Sequence, residues 1–334
     1  MDPVVGLIAN PAAGKDIRRL VAHATTVGNQ SKMRNIRRVL VGLGAMGVGR
    51  VLVMPERLHL GSRAYENLNV QGDVPVVEML DMPATNEAED SERAASLLHR
   101  AGVGCILVLG GDGTIRAVSK GANDTPLLPL STGTNNVLPG CVEGTIAGLA
   151  AGALAREAFP LQEVAFRHKW LEVSINGDPR DRALVDAAIL RGHFIGSRAV
   201  WDVGAVRQIV VTRAGLDSTG LSAIAAVVCP ISPKQEQGAN LFLSPEAGRH
   251  VLAPIAPGLI RPVGIASSHI LDAGDTVTTE AEEWMILALD GEREFAVQKG
   301  DRISITLHLD GPWIVVPRRV TEQMTAQRLF DIPA

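Results

Sequence analysis

Apolar residues in the first part of the chain come in short unbroken runs, each closed by small or turn-forming residues. Val4-Val5-Gly6-Leu7-Ile8-Ala9 empties into Asn10-Pro11-Ala12-Ala13-Gly14-Lys15, Val51 to Met54 stops at Pro55, and a third run covers Val74 to Leu80. Cys105 to Leu109 and Leu127 to Leu130 follow the same pattern. Between these runs lie stretches of helical length. One, after Lys15, is rich in arginine (Arg18, Arg19, Arg34, Arg37, Arg38); another, Asn86 to Arg100, is acidic at its start, basic at its end and followed by Gly102. That polarity suits a helix dipole closed by a glycine cap. Glu143 to Glu157 predicts a further helix. Unbroken apolar strands alternating with helices predict a parallel sheet covered on both faces.

The texture then changes. Trp170 to Gly177 alternates apolar and polar positions and reaches a turn, and Ala183 to Leu190, Gln208 to Thr212, Ala223 to Val228, Trp284 to Leu289, Ile303 to Leu309 and Trp313 to Val316 read as strands between Gly, Pro and Asp. This half predicts an antiparallel sandwich. The expected fold class is therefore α/β plus β: a doubly wound parallel-sheet domain over 1–158 and a β-sandwich domain over 159–317. A helical tail, Arg318 to Phe330, returns to the first domain so that 318–334 rejoins it. Pro230 to Gln237 is the expected mobile loop.

Two of the apolar runs open into small-residue loops about twenty residues apart, Gly110-Gly111-Asp112-Gly113-Thr114 and Ser131-Thr132-Gly133-Thr134-Asn135-Asn136. Neighbouring parallel strands place such loops at one carboxyl edge, where open α/β sheets bind ligands. Adjacent glycines let backbone N–H groups approach an anion, and a following helix adds positive dipole. A lone carboxylate in an anion cradle is unexpected unless it acts. Asp112 would coordinate Mg²⁺ or take a proton from an attacking hydroxyl; the plainer role is a helix N-cap. The hydroxyls and amides of Thr132 to Asn136 suit nucleotide ribose, phosphate and base edges, or a capping turn. Asn10 ends the first strand and is placed to contact phosphate, although no Gly-x-x-x-x-Gly-Lys spacing is present. Gly42-Leu43-Gly44-Ala45-Met46-Gly47 matches the dinucleotide fingerprint, but a strand follows it instead of preceding it, so a Rossmann dehydrogenase is not expected. Leu289-Asp290-Gly291-Glu292 reads as a hairpin with a type I′ Asp-Gly turn.

Composition narrows the classes. At 334 residues two domains are expected. A net charge of −4 gives no reason to expect nucleic acid or an anionic membrane, and 3% aromatics leave little for base stacking. Cys105, Cys141 and Cys229 contain no Cys-x-x-Cys pair, so reduced, buried thiols are expected in place of disulfides or zinc. His168, His193 and His250 lack metal-ligand spacing and read as surface or loop residues. The most apolar helical run, Ile146 to Ala155, is too short to span a bilayer, and no secretory leader is apparent. A soluble cytoplasmic protein is expected.

Taken together, the Gly110–Thr114 loop, Leu130 to Asn136 and Asp290-Gly291-Glu292, in this order and spacing, resemble the NAD kinase/diacylglycerol kinase superfamily, and Asn10 to Lys15 is similar to its opening loop. Within it the pattern is most similar to the ATP-NAD kinase branch found in acetoin-catabolism operons. The resemblance implies a nucleotide site in the cleft between the two domains, ATP and Mg²⁺ as cofactors, and transfer of the γ-phosphate to a hydroxyl, the NAD 2′-hydroxyl being favoured. It puts the general base or metal ligand at Asp112 and a second catalytic acid at Glu292. Asn10, Gly110, Gly111, Gly113, Thr114, Thr132, Gly133, Thr134, Asn135 and Asn136 would hold the nucleotide, and homo-oligomers are implied. The chain departs from the pattern in its second half. Val185-Asp186 keeps only the acid of the acceptor-holding Asn-acid pair, leaving Asp186 as the acceptor contact. Asp217 to Ser222 is a faint echo of a Thr-Pro-Thr-Gly-Ser-Thr-Ala-Tyr stretch, and Ala117 stands where lipid kinases carry Glu. A lipid or small-alcohol kinase and a catalytically inactive nucleotide-binding regulator stay open.

Overall fold

The computed structural model describes residues 2–14, 23, 27–66, 68, 74–132, 136–192 and 202–331, with Arg293 by its backbone only. Strands β1 (Val4–Ala9), β2 (Arg50–Val53), β3 (Val76–Met79), β4 (Ile106–Gly110) and β5 (Leu127–Ser131) pair in parallel in the order β3-β2-β1-β4-β5. Helices α1 (Asn29–Ala45), α2 (Leu60–Glu66), α3 (Ala88–Arg100), α4 (Asp112–Gly121) and α5 (Gly144–Ala155) accompany them. Leu7, Leu107 and Leu109 pack with α1, α2 and α5 on one face, while Ile8, Ile106 and Val108 pack with α3 and α4 on the other. Burial on both faces is why these strands read as unbroken apolar runs.

The Gly-x-Gly-x-x-Gly run belongs to α1 and the turn after it. A Cβ at Gly42 would collide with the Thr145 carbonyl of α5, and one at Gly148 with the Val39 carbonyl of α1. The fingerprint glycine is thus a helix-contact residue, not a phosphate loop.

Short strands carry the chain out of this sheet and back. The first is β6 (Ala165–Arg167), entered through α6 (Leu161–Val164). Between them come β7 (Trp170–Ile175), β8 (Asp178–Ala183), β9 (Asp186–Arg191), β10 (Val206–Val211), α7 (Leu221–Val228), β11 (Gln237–Leu243), β12 (His250–Ala256), β13 (Leu259–Asp272), β14 (Thr276–Glu280), β15 (Met285–Leu289), β16 (Glu292–Val297) and β17 (Arg302–His308). The last strand is β18 (Trp313–Val315), which pairs in parallel with β5 and antiparallel with β6. Expected as a sandwich strand, Trp313–Val315 instead extends the first sheet, and α8 (Pro317–Ala326) packs through Val320 and Met324 into the same core as α5.

The second half forms antiparallel sheets in the orders β12-β13-β11-β10-β9-β15-β16 and β14-β17-β7-β8. Leu171, Val173, Ile303 and Ile305 of the smaller face Ala187, Ile189, Leu287 and Leu289 of the larger. The apolar run Ala223 to Val228, expected as a strand, is helix α7, which covers the other face through Ile224 and Ala225. A short continuous apolar run has no period to distinguish the two, and this one is rich in alanine. Two further expectations need correction: His168 is fully buried, and Cys141 is exposed while Cys105 is buried. Among the described residues no helix is long and apolar enough to cross a membrane.

Candidate functional site

Ala9 pairs with Leu109 and Gly110 with Ser131, so the loops after β1, β4 and β5 leave the sheet at one level. They bind one another. The Asn10 Nδ2 donates to Thr114 Oγ1 at 3.0 Å, and the Asn10 Oδ1 accepts the Ala12 N–H at 2.8 Å. Beneath the first loop the Lys32 ammonium, 1% exposed, donates to the carbonyls of Asn10, Pro11 and Ala13 at 2.9, 2.9 and 2.6 Å. Gly14, at φ +76°, lies so close to the Thr132 carbonyl that a Cβ would collide with it. Asn136 spans the remaining gap. Its Nδ2 donates to Ser131 Oγ at 3.0 Å, and its Oδ1 would stand 2.8 Å from a Cβ at Gly111.

Helix α4 starts at this junction with Gly111 as its N-cap and no side-chain cap. Its first N–H groups have no partner within the helix, which makes this end receptive to an anion. Asp112 is the first residue of this helix. Its Oδ2 accepts the Val137 N–H at 2.9 Å and its Oδ1 the Leu138 N–H at 2.8 Å. The carboxylate therefore ties the glycine-rich turn to the segment following the second motif.

The opposite wall comes from the second half of the chain. Asp290 and Gly291, at φ 50° and 77°, make the two-residue turn between β15 and β16, as a type I′ turn requires. The Asp290 Oδ1 accepts the N–H groups of Leu184 at 3.0 Å, Val185 at 2.7 Å and Asp186 at 3.3 Å. Burial pushes this carboxyl from its ordinary 3.8 up to about 7, against the lowering pull of the Arg116 guanidinium and the Val185 N–H. Glu292 follows the turn, and its Oε1 would stand 3.6 Å from a Cβ at Gly113.

Asp112, Asp186 and Asp290 share a narrow recess between the walls with the amino end of α7, Thr219 to Ser222; its volume is about 20 Å³. That is room for a water, an ion or a hydroxyl, not for a nucleotide. Two buried hydroxyls, Thr132 Oγ1 at 3% exposure and Ser222 Oγ at 1%, have no hydrogen-bond partner among the described residues.

Of the residues singled out from the sequence, Asn10, Gly110, Gly111, Asp112, Gly113, Thr114, Thr132 and Asn136 lie on one wall. Glu292 faces Gly113 from the other, and Asp186 shares the recess with Asp112. Gly133, Thr134 and Asn135 lie outside the described residues. Sequence reasoning missed Asp290, hidden in an ordinary hairpin signal, and it underweighted Thr219 to Ser222. Among the described residues no group of three or more His, Cys, Asp or Glu side chains could hold a metal. With Asp290 engaged by three N–H groups, Asp112 and Asp186 at an ion-sized recess fit a Mg²⁺ carried mainly by phosphate oxygens, not an all-protein cage.

Comparison with known proteins agrees with this architecture. Residues 5–158 match the ATP-NAD kinase N-terminal domain, and residues 169–310 match the acetoin catabolism protein X C-terminal domain. The fold resembles that of yeast NADH kinase complexed with NADH, with a TM-score of 0.53 over 100% of this chain and 89% of that one, at 15% identity. An NAD kinase from Archaeoglobus fulgidus in complex with ATP gives a TM-score of 0.46 over 97% and 98% of the two chains, at 16% identity. The domain match over residues 5–158 and the likeness to yeast NADH kinase make the fold that of the NAD kinase-like proteins. Acetoin catabolism protein X of Cupriavidus necator is 40% identical over 316 residues, 92% of this chain and 88% of that protein. The chain belongs to the acetoin catabolism protein X family.

Proposed function

We propose that the protein is an ATP-dependent phosphotransferase of acetoin catabolism, moving the γ-phosphate to a hydroxyl, with the NAD 2′-hydroxyl as favoured acceptor. One observation carries the reading: Asp112 and Asp186, from opposite domains, share a hydroxyl-sized recess beside the uncapped start of α4. Phosphoryl transfer asks a protein mainly for positioning and charge neutralisation. The N–H groups of Gly113 and Thr114 would take phosphate oxygens, and Thr132 and Asn136 the nucleotide. A hydroxyl in the recess would meet Asp112 as base and Asp186 as positioning partner, with Glu292 approaching over Gly113. Mg²⁺, when bound, would neutralise phosphate charge next to Asp112.

A second reading, a nucleotide-binding regulator without turnover, is favoured by the commitment of both Asp112 oxygens to Val137 and Leu138. A thermal-shift screen with ATP, NAD, NADP and lipid head groups, followed by labelled-ATP transfer to each hit, separates the two. Ligand at a hundred times its Kd should stabilise the fold by about 2.7 kcal/mol. Asp112→Asn should lower kcat by about a hundredfold or more while ATP still binds. Binding without transfer to any acceptor selects the regulator, and no nucleotide binding at all removes both readings.

A further inference from the structure

Arg116 stands one helical turn beyond Asp112 on α4 and is 8% exposed. Its guanidinium faces three acids of the other wall. Nη2 lies 2.6 Å from Glu294 Oε1, Nε 3.8 Å from Asp290 Oδ2 and Nη1 3.8 Å from Asp181 Oδ2. Lys120, a turn further along, also pairs with Asp181. One planar fork thus reaches β8, β16 and the turn before β16 together, which the single ammonium of a lysine would not do.

We infer that Arg116 is the positioning residue by which the first domain sets the acids Asp186 and Glu292 of the second against the groove. The link runs through Asp290. Its carboxylate is one of the partners of Arg116, it holds the N–H groups of Leu184, Val185 and Asp186, and Glu292 follows two residues later. Without Arg116, the Asp290 carboxylate loses the cation that anchors it from the first wall, and its hold on the three N–H groups loosens. Buried ion clusters add little net stability over apolar packing, so fixing a geometry is the role this one suits. The expected effect on turnover rests on the phosphotransferase reading; the placement of the acids does not.

Arg116→Met, Arg116→Lys and Glu294→Gln test this by amide hydrogen exchange at pH 7 in the full chain. Arg116→Met should raise exchange at Leu184 to Asp186 and at Asp290 to Glu292 at least tenfold, with β1 and β4 unchanged. Glu294→Gln should give a smaller rise at the same amides, and Arg116→Lys should recover part of the protection. In turnover, the acceptor KM should rise at least fivefold while that of ATP stays within twofold. Unchanged exchange at these amides, or a rise spread evenly over both domains, overturns the inference. If Arg116→Met does not fold, Glu294→Gln and Arg116→Lys carry the same comparison. A wild-type protein that transfers phosphate to no acceptor sinks the kinase reading alone, because the exchange result is read without activity.

Discussion

The two walls of the groove are built on different principles. The first is contiguous: Gly110 to Thr114 and Ser131 to Asn136 are short segments placed side by side by the parallel register of β4 and β5. The second is scattered, drawing on the start of β9, the amino end of α7 and the β15–β16 turn, and its central contact joins residues 106 positions apart. Both walls use a buried charge, but in the contiguous one it ties together segments that the sheet register already sets side by side, whereas in the scattered one it has to gather segments remote from each other. Lys32 and Asp290 show the contrast within one molecule. The buried cation collects carbonyls of a single loop, while the buried acid collects N–H groups from a distant strand and answers to Arg116 across the domain boundary.

The sharpest attempt to break this comparison is Asp290→Ala. It would leave Arg116 short of a partner and free three buried N–H groups, so unfolding stability should drop by about 3–5 kcal/mol in urea denaturation. A loss below about 1 kcal/mol would mean that the scattered wall holds itself. The same residue gives a pH test. A carboxyl whose pKa in the fold is about 7, above its ordinary 3.8, contributes fully below pH 3.8 and loses that contribution as pH rises through 7. Buried His168, lowered by burial from 6.5 to about 3, acts in the opposite sense: its contribution is present above pH 6.5 and lost as pH falls toward 3. The Asp290 effect is therefore read as the difference between Asp290→Asn and wild type. Between pH 4 and 7 the variant should gain stability relative to wild type as pH rises, and a flat difference would remove Asp290 as the titrating group.

Lys32→Met should cost about 2 kcal/mol, since charge-assisted bonds to three carbonyls are lost from a buried position while the stem still packs. Guanidinium chloride unfolding measures this, and no change would show the β1 loop to be held by backbone alone. The smallest expected effect on the fold is the most telling for function. Gly113→Ala places a Cβ at an ordinary 3.6 Å from Glu292 within a helix, so stability should shift by under about 1 kcal/mol. Isothermal titration should nevertheless show ATP affinity falling about tenfold if phosphate approaches this backbone closely. Unchanged affinity would reduce the glycine loop to a tight turn.

Much of the first domain was legible because each of its signals is local. Apolar runs closed by glycine or proline mark strands whose partners are near in sequence, and the polarity of Asn86 to Arg100 marks a helix without reference to anything else. Legibility failed where packing decides between local options. Ala223 to Val228 has no period, so only the sheet face beneath it selects a helix. Trp313 to Val315 looks like any other strand of its half, yet Ile314 pairs with Leu127 of the first sheet. His168 carries nothing in its neighbours to say that it is enclosed, and Cys141 nothing to say that it is not.

By itself the sequence determined the parallel sheet, the shared edge of its loops and the acid at position 112, because hydrophobic period and glycine spacing are properties of neighbours along the chain. Only the tertiary structure decided that Asp290 is a buried organiser, that Arg116 reaches it from the other domain and that Thr219 to Ser222 faces Asp112 across a recess. Those facts depend on which surfaces lose their water to which partners, and that is settled by contacts between residues a hundred and more positions apart.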